Sequence, residues 1–392
     1  MKKIIIMSEK MNMGGVEKAL ISMLEVINYE KYDVTLLLTA IEGELIKKIP
    51  KQVKLITFNE FKKLDYKSVK NRVLDNILKG KFIDSFNIIY NTILYKVKGN
   101  LHSIYKYNCR LLPMVKGEYD LAISYQAPSR LPSVFVANNI KANKKVLWLH
   151  SDPSKSPCNI RYYKESYNKY DKIFCVSNGI KKEVLKIFPE FKNKVDIFYN
   201  IIPIKDILMK SKVDEVFKDE YDGFKILTIG RLSPEKGYKM AINVCKRIIT
   251  DGYKIRWYVC GEGNQRTELE KMIKENGLDD NFILLGNKSN PYPYLEECDI
   301  YVQTSYFEGY CTTTNEARIL GKPIITTDVS GAREQFINYE NGIIVPIVVI
   351  EVYKAVVELL DDNKLRDKLS NNLKCIDFTN NNDMYKLEYI LK

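Results

Sequence analysis

The stretch Ser305-Tyr-Phe-Glu-Gly-Tyr-Cys-Thr-Thr-Thr-Asn-Glu-Ala-Arg318 contains two glutamates eight positions apart, Glu308 and Glu316. An apolar run at 299–304 precedes it and predicts a strand, and a helix is predicted to begin near Thr312. Glu308 would then lie before the helix and Glu316 about one turn into it. Both carboxylates can face the crevice beyond the carboxyl end of the strand, where open α/β sheets bind ligands.

Thr312, Thr313 and Thr314 are predicted to expose unpaired backbone N–H groups at the positive end of this helix, which would form an anion site. Two carboxylates beside an anion site suit a ligand that is part sugar and part phosphate. The alternative is that Glu308 offsets the helix dipole and Glu316 is an exposed helical residue. This stretch alone favours neither interpretation.

Length and composition limit the class of protein. A chain of 392 residues is too long for one ordinary core and indicates two domains. A hydrophobic fraction of 45% and a charged fraction of 28% are typical of soluble globular proteins. The apolar runs are shorter than a membrane span, and the N-terminus resembles a first strand more than a signal peptide. The eight scattered cysteines predict core residues in a reducing cytosol, not a disulfide frame or a zinc site.

The net charge of +12 is concentrated between residues 61 and 116, which hold twelve Lys/Arg and three Asp. Apolar residues recur there at helical spacing, from Val69 to Leu101, so basic amphipathic helices are predicted. Such helices can bind an anionic membrane surface. The alternative is ordinary helices packed on a core with solvated basic faces. No helix-turn-helix, RNA-stacking or zinc-finger signature accompanies the charge, so no nucleic-acid partner is predicted.

Strands alternate with helical stretches along the chain, which is the pattern of parallel sheets. One series of predicted strands comprises residues 3–7, 33–38, 121–124, 145–149, 172–176 and 195–199. After a connector from Asn200 to about Gly223, a second series comprises residues 225–229, 256–260, 282–285, 299–302 and 323–326. The predicted fold class is α/β with two Rossmann-like domains, 1–200 and 201–375, followed by a C-terminal segment, 376–392, that crosses back to the first domain.

Further motifs follow strands of the second series. Arg231 and Lys236, in the segment Gly230-Arg-Leu-Ser-Pro-Glu-Lys-Gly237, can reach one anion, the former by a forked contact and the latter as a point charge. The alternative is two surface cations at a turn. Gly261-Glu-Gly263 follows the next strand, where glycine permits either a close ligand or a tight turn. Further strand-end motifs are Leu285-Gly286-Asn287 and Val329-Ser-Gly331-Ala-Arg-Glu334.

Taken in order, these motifs resemble glycosyltransferase family 4, the group 1 glycosyltransferases. These are retaining, nucleotide-sugar-dependent enzymes with the GT-B fold, in which two Rossmann-like domains face each other across a central cleft. The resemblance is nearly continuous from Gly230 to about Pro346. It is thinner in the first half, where it consists of Gly14-Gly15-x-Glu17, His150, Val176-Ser177 and Asn200.

The resemblance implies a donor site in the second domain and an acceptor site in the first. Arg231 and Lys236 would bind the donor diphosphate, Glu316 the ribose hydroxyls and Glu308 the transferred sugar. The resemblance also implies backbone contacts to the donor, from Gly14, Gly15, Gly286, Gly309, Cys311, Thr312 and Thr313. His150 would lie near the sugar and the acceptor and, with Arg231, Lys236 and Glu308, is expected to be catalytic. The alternative for His150 is a buried core histidine.

The implied activity is hexosyl transfer from a nucleotide diphosphate sugar to a hydroxyl of a glycan or lipid-linked saccharide. UDP is the expected nucleotide, because it is the usual one in the family. The expected pathway is capsule or lipopolysaccharide synthesis. The protein is expected in the cytoplasm, as a peripheral protein on the inner face of the plasma membrane. No cofactor or metal is expected, because the cations and the helix dipole can stabilise the leaving group. The alternatives are a non-catalytic GT-B partner subunit, a sugar-nucleotide epimerase or a phosphorylase.

Overall fold

The computed structural model describes residues 1–61, 69–128, 130–156, 158–212, 217, 221–378 and 383–392. The chain divides into two compact units, Met1–Ile201 with Asn381–Lys392, and Ile202–Asn380. Residues 62–68 of the basic region, and 213–216 and 218–220 of the predicted connector, lie outside the described residues.

The first unit is built on a parallel sheet with the strand order β3-β2-β1-β4-β5-β6-β7. The run Ile4-Ile-Ile-Met7 is buried in β1, as expected for a parallel strand covered on both faces. Its strands and longer helices are β1 (Lys2–Ser8), α1 (Gly15–Val26), β2 (Tyr32–Leu38), β3 (Lys54–Ile56), α2 (Val69–Leu78), α3 (Phe82–Lys98), α4 (Leu101–Leu111), β4 (Tyr119–Ala127), α5 (Leu131–Asn139), β5 (Ala142–Leu149), α6 (Lys164–Asn168), β6 (Lys172–Cys175), α7 (Asn178–Ile187) and β7 (Val195–Ile197).

The second unit repeats this winding, with the strand order β10-β9-β8-β11-β12-β13. Buried apolar side chains form two core clusters, which include Trp257 in one and Tyr301 in the other. Its elements are α8 (Ile204–Ser211), β8 (Phe224–Ile229), α9 (Tyr238–Thr250), β9 (Ile255–Cys260), α10 (Arg266–Glu275), β10 (Phe282–Gly286), α11 (Tyr292–Glu297), β11 (Ile300–Gln303), α12 (Thr312–Ile319), β12 (Ile324–Thr327), α13 (Ala332–Gln335), β13 (Ile343–Val345), α14 (Val349–Asp361) and α15 (Asn363–Lys374).

The direction of winding reverses once in each sheet. In the second unit, β9 and β10 lie on one side of β8, whereas β11, β12 and β13 lie on the other. The loops that follow β8 and β11 therefore leave neighbouring strands in opposite directions. Such a switch point opens a crevice at the carboxyl ends of the strands, where doubly wound sheets bind their ligands.

The final helix, α16 (Met384–Leu391), belongs to the first unit. Its Leu387 and Leu391 are buried. The Lys386 ammonium donates to the carbonyl of Ile197 at 2.6 Å, and the Tyr199 amide donates to the Asp383 carboxylate at 2.9 Å. Apolar burial and two hydrogen bonds thus attach the end of the chain beside β7.

The predicted connector contains a helix that sequence analysis missed. Helix α8 occupies part of it and buries Ile207 completely. The lysines and aspartate around Ile207 made this short segment look like a linker. None of the helices in the described ranges is long and apolar enough to cross a membrane.

We expect Leu387→Ala to lower the free energy of unfolding by about 2–5 kcal/mol, because it leaves a cavity under α16. Tyr389→Ala is the matched control on the same helix. Its side chain is 73% exposed, so the change should cost less than about 0.5 kcal/mol. Denaturant unfolding of both variants measures the difference, and equal losses would show that α16 is not packed as described.

Candidate active site

The loops that follow β8 and β11 are in direct contact at the switch point. Gly237 ends the first loop with φ 69°, and a Cβ there would lie 2.0 Å from the carbonyl oxygen of Thr304. The Thr304 hydroxyl donates to the carbonyls of Lys236 and Gly237 at 3.1 and 3.2 Å. Glycine at 237 is therefore required by both its conformation and its neighbour. This contact brings Lys236 to the segment that carries Glu308.

Lys236 and Glu308 form an ion pair, with 2.5 Å between Nζ and Oε1. Their side chains are only 17% and 13% exposed. Burial opposes the charged form of Lys236, but the neighbouring Glu308 carboxylate outweighs it, so the pKa of Lys236 is raised above its usual value. Lys236 is therefore a protonated cation at neutral pH. Both residues were predicted for one site, and the structure brings them together.

A chain of buried hydrogen bonds orients the Glu308 carboxylate. The Tyr301 hydroxyl donates to Gln303 Oε1 at 2.7 Å, and Gln303 Nε2 donates to Ser305 Oγ at 2.9 Å. The single Ser305 proton is then directed to Glu308 Oε1 at 2.7 Å. Because Oε1 accepts from both Ser305 and Lys236, Oε2 is the oxygen best placed to accept from a ligand. Gln303 and Ser305 were not predicted as site residues. The signal for Gln303 was a glutamine at the end of an otherwise apolar strand.

Helix α12 begins at Thr312, as predicted, and none of the described side chains caps its start. The threonine hydroxyls point to other partners: Thr313 donates to Gln303 at 3.3 Å and Thr314 to Gln335 at 2.5 Å. Cys311, the N-cap residue, is buried. No described side chain therefore pairs with the backbone N–H groups of the first turn, and the anion site that the threonine run indicated stays a prediction.

Glu316 is 5% exposed and accepts a hydrogen bond from the Tyr292 hydroxyl at 3.3 Å. The alternative interpretation of Glu316 as an exposed helical residue is therefore wrong. Helix α12 ends at Ile319, and Gly321 follows with φ 63°, as expected for a helix end. Glu308 lies in the loop between β11 and α12, whereas Glu316 lies within α12, and the two have different partners.

Arg231 lies in the loop after β8, five positions before Lys236, and its side chain is exposed. It forms no ion pair with any residue that the structure describes. The site therefore combines a solvent-facing cation, a shielded cation and an uncapped helix start. We call Arg231, Lys236, Glu308 and the start of α12 the switch-point cluster.

The strand-end glycines serve contacts between loops. A Cβ at Gly261 would lie 1.9 Å from the Gly230 carbonyl oxygen, and one at Gly263 would lie 2.2 Å from that of Leu232. The Gly261 amide donates to the carbonyl of Gly286, which has φ 76°. At 261 and 263 the absent side chains thus make room for a neighbouring backbone. The close-ligand interpretation is not needed to explain these two glycines.

Three predicted site residues lie in the first unit. Gly14 and Gly15 begin α1, where a Cβ on Gly14 would meet the Glu17 carboxylate at 2.2 Å. His150 follows β5, and its amide donates to the Ala127 carbonyl at 3.1 Å. Burial lowers the pKa of His150 to about 3, so its imidazole is neutral at physiological pH. The roles that the resemblance implies for these three residues stay predictions.

Neither metal ligation nor disulfide bonding is observed in the described ranges. No group of three or more His, Cys, Asp or Glu side chains within them is arranged to hold a metal ion. The eight cysteines are free thiols, and all but Cys375 are buried.

Comparison with known proteins extends this description. Residues 210–374 match the model of the family described as glycosyl transferases group 1. The Campylobacter jejuni protein named N-acetylgalactosamine-N,N'-diacetylbacillosaminyl-diphospho-undecaprenol 4-alpha-N-acetylgalactosaminyltransferase is 32% identical over 210 residues, 53% of this chain and 56% of that protein. The capsular polysaccharide biosynthesis glycosyltransferase CapM of Staphylococcus aureus is 27% identical over 215 residues, 51% of this chain and 55% of that protein. The chain thus spans about half the length of these curated relatives.

A solved structure resembles the whole chain. The crystal structure of Anabaena HepE in complex with UDP and glucose has a TM-score of 0.70 and 16% identity, and the match covers 100% of this chain and 99% of that one. The fold is therefore GT-B, the two-sheet α/β class of glycosyltransferases, as predicted. Residues 210–374, less than half of the chain, are thus similar to the glycosyl transferases group 1 family, in line with the resemblance that the sequence motifs indicated.

We expect Gly261→Ala to destabilise the second unit by about 3 kcal/mol, because the new methyl group cannot be accommodated beside the Gly230 carbonyl. Gly277→Ala is a suitable control, since a Cβ there meets nothing within 4 Å, although φ is 64°. The control should cost about 1 kcal/mol for its left-handed conformation. Thermal and denaturant unfolding measure both losses. A smaller loss for Gly261→Ala than for the control would contradict the loop contact.

We also expect Gln303→Met to cost about 1–3 kcal/mol, since it removes the acceptor of the buried Tyr301 hydroxyl and the hydrogen bond that Ser305 accepts. Gln265→Met is the control, because the Gln265 side chain donates an exposed hydrogen bond, to Glu268. Unfolding experiments should separate the two variants clearly. Similar stability of both would mean that the hydrogen-bond chain does not constrain Glu308.

Proposed function

We propose that this chain is a retaining, hexosyltransferase-type glycosyltransferase that uses a nucleotide diphosphate sugar. The observation that carries the proposal is the 2.5 Å ion pair of Lys236 and Glu308 at the switch point, beside the uncapped start of α12. This arrangement offers cations and N–H donors to a phosphate, and carboxylates to sugar hydroxyls, within one site. The match of residues 210–374 to the model of the glycosyl transferases group 1 family supports the same activity.

The cations and the helix start would bind the donor diphosphate. Arg231 can contact phosphate oxygens by its forked guanidinium, and Lys236 supplies a charge that is shielded from water. The N–H groups of Thr312 and Thr313 add donors at the positive end of a helix. Together these groups would stabilise the negative charge that develops on the diphosphate as the glycosidic bond breaks.

The two glutamates would recognise hydroxyls. Glu308 is held by Ser305 and Lys236 through one oxygen, so its other oxygen can accept from the transferred sugar. Glu316 is buried next to Tyr292 and would accept from the ribose hydroxyls. Both carboxylates are therefore proposed as positioning groups, and neither needs to act as a nucleophile.

In the proposed reaction, the bond between the anomeric carbon and the diphosphate oxygen breaks while the acceptor oxygen bonds to the same face of that carbon. The acceptor proton passes to the leaving diphosphate, so atoms and charges balance without a further reactant. Same-face replacement retains the anomeric configuration. No resident metal is required, because Arg231, Lys236 and the start of α12 supply the electrostatic stabilisation.

For the donor and acceptor we propose a UDP-sugar and a membrane-associated, lipid-linked glycan of bacterial surface polysaccharide synthesis. HepE was crystallised with UDP and glucose. The Campylobacter relative is named for transfer to a diphospho-undecaprenol saccharide, and CapM for capsular polysaccharide biosynthesis. The proposed place of action is the cytoplasmic face of the membrane.

We expect Arg231→Ala to lower kcat/KM for the donor by about 10²–10³-fold, since it removes a charge-assisted contact to the leaving group. Glu308→Gln should also reduce turnover, because an amide cannot replace the carboxylate beside Lys236. The measurement is release of the nucleotide diphosphate from a panel of nucleotide sugars. Arg247→Ala, on the exposed side of α9, is the control and should behave like the unaltered chain.

Two outcomes would contradict this proposal. If the chain turns over no donor, but binds UDP and loses that binding in the Arg231→Ala variant, it is a non-catalytic GT-B subunit. If no nucleotide or nucleotide sugar binds at all, or if both site variants keep full activity, the switch-point cluster is not a donor site.

A further inference from the structure

Helices α2 and α3 pack against each other and form a hairpin whose apolar side chains are turned outward. Of the large apolar side chains that are exposed in the described residues, more than half lie between 69 and 114. None of the ten residues of α2 is buried, and in α3 only Ser85 and Ile88 are. Soluble monomers rarely expose so continuous an apolar surface unless it binds something.

Seven exposed apolar residues of α3 form one continuous stripe. At about 100° per residue, they fall within an arc of about 120°. They are Phe82, Ile83, Phe86, Ile89, Tyr90, Ile93 and Val97, with exposed fractions between 44% and 79%. The rings of Phe86 and Tyr90 are stacked, with 6.2 Å between centroids. An amphipathic helix normally packs such a face on the protein core, whereas α3 presents it to the surroundings.

The turn of the hairpin is the most exposed apolar point. Leu78 is 85% exposed, Phe82 66% and Ile83 79%. Gly80, with φ 70°, makes the tight connection between Lys79 and Lys81. Apolar side chains at the tip thus alternate with two cations.

The exposed charges around the stripe are mostly positive. Lys70, Lys79, Lys81, Lys96 and Lys98 are exposed, and none of them forms an ion pair within the described residues. The nearby Asp84 accepts from the Tyr107 hydroxyl at 2.9 Å. The matching surface is therefore apolar in its interior and negatively charged at its boundary.

We propose that the α2–α3 hairpin docks on an anionic lipid bilayer, with the stripe of α3 at the level of the upper acyl chains. The lysines would then extend to the lipid phosphates, as long basic side chains do at membrane interfaces. A second copy of the chain fits less well, because a twofold contact through this face would bring its unpaired lysines together. This inference deepens the proposed function, since it supplies the surface at which a lipid-linked acceptor is presented.

The test is flotation of the purified full-length chain with lipid vesicles, without any sugar nucleotide. Vesicles that contain about one third anionic lipid should bind the chain, and neutral vesicles should bind it at least roughly tenfold more weakly. Ile83→Ser with Phe86→Ser should reduce binding roughly tenfold or more, because each change removes apolar area from the contact. Lys79→Gln with Lys81→Gln should have a similar effect on anionic vesicles only.

Matched controls exist on the second unit. Ile337→Ser alters a side chain that is 60% exposed, and Lys364→Gln with Lys368→Gln removes two exposed charges from α15. These variants should bind vesicles like the unaltered chain. All the altered residues are exposed, so unchanged unfolding curves are expected to accompany the losses.

The proposal is overturned if the chain binds neither type of vesicle, or if the hairpin variants bind as well as the controls. It is also overturned if the chain is a dimer in solution that Ile83→Ser with Phe86→Ser dissociates, since the stripe would then be an interface between two copies. Donor turnover is measured separately, so a failure to bind vesicles does not bear on the switch-point cluster.

Discussion

The reversal of winding between β8 and β11 is the constraint on which the candidate site depends. It separates two loops that leave adjacent strands, and it lets Lys236 and Glu308 approach within 2.5 Å. Either charge alone would be costly in this shielded position, because a buried ion without a partner loses its hydration. Each charge therefore offsets the cost of burying the other, and the site keeps two charges where ordinary packing would have apolar side chains.

Two kinds of contact make this arrangement rigid. Backbones touch where glycine leaves room, as at Gly237 beside Thr304 and Gly261 beside Gly230. Buried polar side chains add direction, because the Gln303 amide can donate to Ser305 only while its oxygen accepts from Tyr301. Close contact fixes distances and the hydrogen-bond chain fixes orientation, so both properties needed for ligand recognition are set before a ligand arrives.

Much of this could be predicted from the sequence, for physical reasons. Buried parallel strands are continuous apolar runs, so most strands were found, including the three-residue β7, whereas the equally short β3 and β13 were missed. The hydrogen-bond chain that reaches Glu308 through Gln303 and Ser305 could not be predicted, because these side chains act through orientations that only packing decides. Burial of Glu316 likewise depends on Tyr292, which is distant in sequence. For α3, the periodicity indicated an amphipathic helix but could not show that its apolar face is turned outward.

The contact between the glycine loops has a consequence for the evolution of such chains. Because Gly261 and Gly263 face the backbone of the neighbouring loop, selection for folding alone preserves them. A descendant that had lost every ligand would still inherit these glycines, and its sequence would continue to look like that of an active enzyme. Arg231 is different, since it is exposed and contributes little to packing. In a lineage that no longer binds a ligand, Arg231 would therefore be lost before the glycines.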